Sequence, residues 1–327
     1  MVFEFFVLQP LERSEMSIQT AFILGAGLGT RLRPMTNSRP KVLVPILGEP
    51  LIFRTLDYLL SYGITRFVIN THHLAHVFDI FFGGHHGEFS YRGAPLFLIY
   101  EPILLETAGA VRNARPWIGE DPFLVVNGDI VTNIALTRLL EASDKDDASV
   151  ILGLRPGPPQ VGLDIRTGAV LDFHNKLHKN GLSYFLFASL YVLRPEIYQW
   201  IPSSGPFRMM SVFWQLLAQN KRIAGLILDP GFWSEVGNRV AYLQVHQDLI
   251  SQDASNKLVK SQISAGVELR GFCAIGENCE IEPGVILEDT IIWDKAKISS
   301  GSHLCRCILC DRVQVAGDFS DRDFYPG

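Results

Sequence analysis

Residues 20–45 read TAFILGAGLGTRLRPMTNSRPKVLVP, and the remaining sequence is organised around them. Ala21, Phe22, Ile23 and Leu24 form an apolar, β-prone run, the pattern of a strand buried on both faces. The run ends in Gly25-Ala26-Gly27-Leu28-Gly29-Thr30-Arg31, with three glycines in five residues. Glycine accepts positive φ and puts no Cβ between main-chain N–H groups and a ligand. Such a loop can wrap a phosphate chain with its amides. Arg31, Arg33 and Lys41 follow, with Pro34 and Pro40 among them. Strand, glycine loop and cations together predict a polyphosphate site.

The kind of site is narrowed by what is missing. A dinucleotide fingerprint needs G-x-G-x-x-G and an acidic residue about 20 positions on. Here the third glycine comes one residue early, and Lys41 and prolines stand in the distal stretch. That excludes a nicotinamide oxidoreductase. A Walker loop needs G-K-[ST], which is absent. The pattern G-x-G-x-G-T-R-L-x-P-x-T, followed by P-K-x-L-x-P, resembles the sugar-1-phosphate nucleotidyltransferases. The resemblance covers residues 19–316 and is strongest to the mannose-1-phosphate guanylyltransferases, with the uridylyltransferases of amino-sugar recycling next. It implies transfer of a nucleotidyl group from GTP or UTP to a sugar 1-phosphate, with release of pyrophosphate. By the same resemblance, Leu24, Ala26, Gly27, Gly29, Thr30 and Arg31 bind the nucleotide. Arg31 also holds the departing pyrophosphate, and Lys41 bridges nucleotide and sugar phosphates.

Further along, a helix is predicted over 51–62, with Pro50 before it and Gly63 after it, and a buried strand over 67–70. Strand, helix, strand without a hairpin signal implies a right-handed crossover and a parallel sheet. His72-His73 and His85-His86 lack a completing ligand set and read as packing or capping residues rather than a metal site. After a strand at 96–100 comes L-x-T-A-G-A at 105–110. The family resemblance assigns this loop to the nucleobase, through Thr107 and Gly109. The strand at 123–126 ends in Asn127-Gly128-Asp129, a carboxylate where open α/β sheets place ligand chemistry. By resemblance Asp129 holds Mg²⁺, and Glu235, in W-S-E-V-G, is the second metal carboxylate and stands where the family has aspartate.

A helix over 134–142 and a strand over 149–154 come next, and 155–164 reads as loop. Strands at 169–173 and 185–193, a helix opening at Pro195-Glu196 and another over 210–219 complete the sugar-facing part. This half departs from the family. Glu235 lengthens the metal arm by about 1.5 Å, one C–C bond. The usual E-K-P is absent, so Lys176 is the substitute for the sugar-phosphate lysine. Phe187-Ala188-Ser189 replaces N-A-G or T-G, and Gly237-Asn238-Arg239 stands where G-T-P is common. A catalytically weak, nucleotide-sugar-binding regulatory homologue is therefore the alternative reading.

Near the C-terminus, Ile263, Leu269, Ile275, Ile281 and Leu287 recur every six residues, with a slip near Trp293 and resumption at Ile298 and Leu304. Hexads mark a parallel β-helix, left-handed in the resembling families, and 263–316 would make about three coils. Cys273, Cys279 and Val285 share one place in the hexad, where small side chains pack. At 327 residues the chain exceeds the ~250–300 at which one core stops growing. The predicted order is an N-terminal extension (1–18), an α/β nucleotidyltransferase domain with a Rossmann-like, mostly parallel sheet (19–250), a linker (251–261), the left-handed β-helix (262–317) and a tail (318–327). A net charge of −5 argues against nucleic acid as a partner. No apolar run is long enough to span a bilayer, and no signal peptide is recognisable before Met16. Five cysteines, all after residue 270, read as free thiols rather than zinc ligands. These features predict a cytoplasmic enzyme, and the open faces of a coil stack predict a homo-oligomer.

Overall fold

The computed structural model describes residues 18–83, 87–228, 230–251 and 257–326. The N-terminal stretch 1–17, the His85-His86 pair and residues 252–256 of the expected linker lie outside the described residues. Two compact units are present, Met1–Gly27 with Thr55–Trp233, and Leu28–Arg54 with Ser234–Gly327. The division does not fall at the expected linker, because residues 28–54 belong with the C-terminal part.

In the first unit the apolar run forms β1 (Thr20–Leu24). Helix α1 (Leu51–Ser61) precedes β2 (Arg66–Thr71), and α2 (Ala75–Phe82) leads to the hairpin β3 (Glu88–Tyr91) and β4 (Ala94–Tyr100). That hairpin turns on Arg92 and Gly93, both at positive φ, which suits the twist of paired strands. Helix α3 (Glu106–Ile118), β5 (Phe123–Asn127), α4 (Thr137–Lys145) and β6 (Val150–Arg155) follow. Then come β7 (Val161–Asp164), β8 (Ala169–Phe173), β9 (Ser183–Leu193), α5 (Met209–Ala218) and β10 (Ile223–Ile227). These strands form one ten-stranded sheet in the order β7-β8-β10-β6-β9-β5-β1-β2-β4-β3. Strands β5, β1, β2 and β4 are mutually parallel, as the crossover reading requires. Strand β9 runs antiparallel to both β5 and β6, and β10 is parallel to β6. Phe22, Phe123, Val125, Leu152 and Tyr191 are among the side chains of the core that α3 and α5 cover.

Three local expectations are corrected. The stretch expected to be loop contains β7, because its prolines end at Pro159 while Val161 and Leu163 are buried, leaving a short period-2 strand. Helix α4 starts three residues later than expected: the Ile134 amide donates to Thr132 Oγ1 (3.1 Å), which keeps 132–134 in a turn. Pro195 opens a 3-10 helix to Trp200 rather than an α-helix.

In the second unit, short strands Pro45–Ile46 and Glu49–Pro50 pair across Leu47 and Gly48, both at positive φ. Helix α6 (Arg239–Ile250) is capped by Asn238, whose Oδ1 accepts from the Ala241 amide at 3.0 Å. Beyond it the strands are parallel and regularly spaced. Leu269 pairs with Leu287, Leu287 with Leu304 and Leu304 with Phe319, while Ile281 pairs with Ile298 and Ile298 with Val315. Ile275, Ile281, Leu287, Ile298 and Leu304 fill the interior with Cys273, Cys279 and Val285, as the hexad predicts. All five cysteines are free. The register slip is at Asp289 rather than near Trp293. Arg270 faces Glu288 but Cys273 faces Thr290, so Asp289 stands opposite both Gly271 and Phe272. Asp289 Oδ1 accepts from the Phe272 amide (3.0 Å), filling the place of the missing residue. Pairing begins at Lys257–Val259 and continues to Asp323–Phe324, beyond both ends of the hexad pattern. Among the described residues no helix is long and apolar enough to cross a membrane.

One buried group in this unit titrates at mild acidity. His246 Nε2 accepts from the Leu47 amide (3.2 Å), and Nδ1 donates to the Tyr242 carbonyl (2.8 Å), so the ring is held neutral. Burial lowers its pKa from 6.5 to about 4. Unfolding frees the ring to protonate at its ordinary pKa. Stability from this group is therefore complete above about 6.5, falls as pH drops towards about 4, and changes no further below that. Chemical denaturation at stepped pH is expected to show a loss of up to about 3 kcal/mol across this window. His246→Gln, which stays neutral, is expected to flatten that dependence.

Candidate functional site

In the first unit the glycine loop rests on a buried polar relay. The Gly25 amide donates to Asn70 Oδ1 (2.8 Å), and Asn70 Nδ2 donates to Glu101 Oε1 (2.9 Å). Glu101 Oε2 accepts from the Leu105 amide (3.0 Å), and the Glu101 carbonyl faces His72 Nδ1 at 2.7 Å. Asn70 and Glu101 are buried, and burial raises the Glu101 pKa although these hydrogen bonds oppose the shift. A Cβ on Gly25 would lie 2.8 Å from the Asn70 carbonyl oxygen, so glycine is required there by packing. Gly27 differs. It is exposed, and a Cβ on it would meet nothing within 4 Å. Neither protein packing nor positive φ asks for glycine at 27, which leaves its backbone open to close approach by a ligand. Leu24 is tied to the next strand end through its carbonyl, which accepts from the Gly128 amide (3.0 Å), and Asp129 follows, half-buried. Ala26 is buried.

The 105–110 loop opens α3. Thr107 Oγ1 accepts from the Met209 amide (2.8 Å), and the Gly109 amide donates to the Phe207 carbonyl (3.0 Å). A Cβ on Gly109 would lie 3.1 Å from the Gly205 carbonyl oxygen. Both residues thus hold residues 205–209 against the start of α3. Glu106 is half-buried at φ 59°, with its carboxylate 3.7 Å from Arg208. Lys176 lies on the turn between β8 and β9. Buried Asp172 shapes that turn by accepting from the Lys176 amide (3.1 Å), the Leu177 amide (3.1 Å) and the Tyr184 hydroxyl (2.9 Å). Lys176 Nζ is 5.8 Å from the Trp214 ring centroid. Ser189 sits at φ 60° where β9 changes register against β6, and the preceding Ala188 carbonyl accepts from Trp233 Nε1 (2.8 Å).

In the second unit Gly29 has φ 62°, and a Cβ there would lie 2.8 Å from Thr36 Cγ2. Thr36 Oγ1 donates to the Gly29 carbonyl (2.8 Å), fixing the turn that carries Thr30 and Arg31. Thr30 and Arg31 are exposed, while Lys41 is almost fully buried at the start of a short 3-10 turn. Arg31 Nη2 lies 3.7 Å from Glu235 Oε1, with side-chain exposures of 67% and 41%. An ion pair this exposed contributes at most about 1 kcal/mol, so both groups exchange partners readily. A Cβ on Gly237 would lie 3.3 Å from Glu235 Oε1 and 3.5 Å from Arg31 Nη2, so glycine leaves room for the pair.

Asp129 in the first unit and Glu235 in the second each carry hard carboxylate oxygens, a donor type that Mg²⁺ accepts. Among the described residues no group of three or more His, Cys, Asp or Glu gathers as a metal cage. The residues sequence reasoning did not single out are Asn70 and Glu101. Their signal is a polar residue ending an apolar strand (F-V-I-N) and an acid just past the next (L-I-Y-E).

A nucleotidyl transferase family profile matches residues 20–252. The chain belongs to that family. It is 27% identical over 298 residues to a mannose-1-phosphate guanylyltransferase of Mycobacterium tuberculosis, covering 86% of this chain and 81% of that one. It is 31% identical over 239 residues to an N-acetylmuramate alpha-1-phosphate uridylyltransferase of Caulobacter vibrioides, covering 68% and 93%. Among solved structures, a UDP-glucose pyrophosphorylase from Acinetobacter baumannii superposes with a TM-score of 0.61 at 18% identity, covering 72% of this chain and 95% of that one.

The two glycines of the loop separate packing from ligand access. Gly25→Ala is expected to lower stability by about 1–3 kcal/mol, because backbone atoms must shift. Gly27→Ala is expected to leave the melting temperature unchanged and to weaken nucleotide binding at least about tenfold, the effect of ~1.4 kcal/mol. Thermal denaturation and calorimetric titration with GTP and UTP read the two effects.

Proposed function

We propose that this chain joins a nucleoside triphosphate to a sugar 1-phosphate, giving a nucleoside-diphosphate sugar and pyrophosphate. One observation carries the reading: the exposed, unobstructed backbone at Gly27 lies two residues past an amide locked by the Asn70–Glu101 relay. Preorganised N–H groups of this kind bind phosphate without reorganising. In the reaction a sugar-phosphate oxygen attacks the α-phosphorus in line. A new P–O bond forms, the α–β P–O bond breaks, and pyrophosphate leaves with the electron pair. Gly27, Gly29 and Thr30 cradle the triphosphate, with Leu24 and Ala26 supplying backbone beside it. Arg31 neutralises the leaving pyrophosphate, Lys41 bridges the two phosphate groups, and Lys176 receives the sugar phosphate. Thr107 and Gly109 shape the loop facing the base. Asp129 and Glu235 would hold Mg²⁺, which when bound would neutralise charge on the triphosphate as the nucleotidyl group transfers.

GTP and mannose 1-phosphate are the first pair to test, because guanylyltransferases of that name match over 86–90% of the chain. The parallel strands after residue 257 are read as a left-handed β-helix through which copies of the chain associate. A second reading, a nucleotide-sugar-binding homologue with little turnover, draws support from Glu235 and Ser189, which replace the expected aspartate and glycine.

A coupled pyrophosphate-release assay over a panel of triphosphates and sugar 1-phosphates separates the two. Turnover that EDTA removes and Mg²⁺ restores is expected, with Asp129→Asn lowering kcat by about a hundredfold or more. Retained nucleotide binding without turnover would favour the second reading.

A further inference from the structure

We propose that Tyr242, Trp293 and Asp311 are positioning residues for the transfer step, acting through Lys41, so that the C-terminal strand stack is a working part of the enzyme. The inference rests on the reading of Lys41 as the phosphate-bridging cation. Lys41 lies in the segment Pro40-Lys41-Val42-Leu43-Val44-Pro45, and residues after Gly237 hold that segment at both ends. Before it, the Arg39 guanidinium donates to Asp311 and lies over the Trp293 ring, 4.9 Å from its centroid. At its far end the Pro45 carbonyl accepts from the Tyr242 hydroxyl at 2.6 Å. The two clamps are one connected system, because Trp293 Nε1 donates to the same Tyr242 oxygen (2.9 Å). Asp311 is itself fixed, since its other oxygen accepts from the Asp294 amide at 3.2 Å.

Burial sharpens the argument. Tyr242 and Trp293 are almost fully buried, as are Val42, Leu43 and Val44 between the clamps. The segment has little freedom to drift sideways, and Pro40 and Pro45 restrict φ at its ends. Its position along its own direction is held by the polar contacts to Arg39 and the Pro45 carbonyl, together with the Leu51 amide, which donates to the Val44 carbonyl (3.0 Å). A displacement of about 1 Å of a phosphate-bridging group can cost about a hundredfold in rate, so clamps too weak to matter greatly for folding can matter for transfer.

The test uses the full chain and pyrophosphate release, with nucleotide affinity measured by calorimetry. Asp311→Asn removes the charge that holds Arg39, and Tyr242→Phe removes the hydroxyl at Pro45. Each is expected to lower kcat about tenfold, with nucleotide Kd changed less than about threefold. Each is then combined with Lys41→Arg, which keeps a cation but moves its head group. If the clamps act through Lys41, they should lower kcat less than about twofold in that background. Fully multiplicative losses would overturn the positioning role while leaving the transferase reading intact. No turnover in the unaltered chain would overturn both. Should Tyr242→Phe fail to fold, the half-exposed Asp311→Asn decides the matter alone.

Discussion

The hydrogen bond from the Gly25 amide to the Asn70 side chain is the constraint on which the glycine loop after β1 depends. A glycine loop left to itself samples many conformations and presents its N–H groups to a ligand only at an entropic cost. Here its first amide is pinned to a strand end, and the pin is itself supported. Asn70 can offer its oxygen to Gly25 because its nitrogen donates to Glu101. Glu101 can stay buried because Asn70 and the Leu105 amide satisfy both its oxygens. Leaving any of these buried groups unpaired would cost about 1–3 kcal/mol, more for the carboxylate. Because Leu105 begins the next motif, one carboxylate sets the loop after β1 and the loop before α3 in register.

The second unit is organised by a different rule. Its interior is a column of aliphatic side chains and small thiols repeated along parallel strands. Burial raises the pKa of Cys273, Cys279, Cys307 and Cys310, so these thiols pack and do not react. Polar contacts are concentrated where α6 and the stack meet residues 39–48, through Tyr242, His246, Trp293 and Asp311. An apolar column tolerates local substitution, whereas a chain of directional hydrogen bonds specifies one geometry. The segment carrying Lys41 is held by the specifying kind.

Periodicity made much of this legible. The buried strand before Gly25, the parallel succession through β5 and the hexads follow from apolar spacing alone, and the structure has them in place. What the sequence hid was of two sorts. Strand β7 is short and follows three prolines, so turn chemistry masked its two buried residues. The Asn70–Glu101 relay joins residues 31 apart in the chain, and no spacing rule announces a buried carboxylate whose partners come from other strand ends. The slip at Asp289 was visible as a break in the hexads but assigned four residues late, because a side chain that substitutes for a residue leaves no mark in the apolar pattern.

One departure from the family pattern, Ser189, is accommodated by the backbone around it. Ser189, where the family has glycine, occupies left-handed backbone, which costs other residues of order 1–2 kcal/mol. Such strain persists only where the surroundings over-determine it. Around Ser189 that role falls to the Trp233 indole bound to the Ala188 carbonyl and to the pairing of β9 with its neighbours on both sides. Serine at 189 therefore stands on a backbone path that would also suit glycine. A contact made through main-chain groups depends on that path and not on the side chain, so serine at 189 does not by itself remove it.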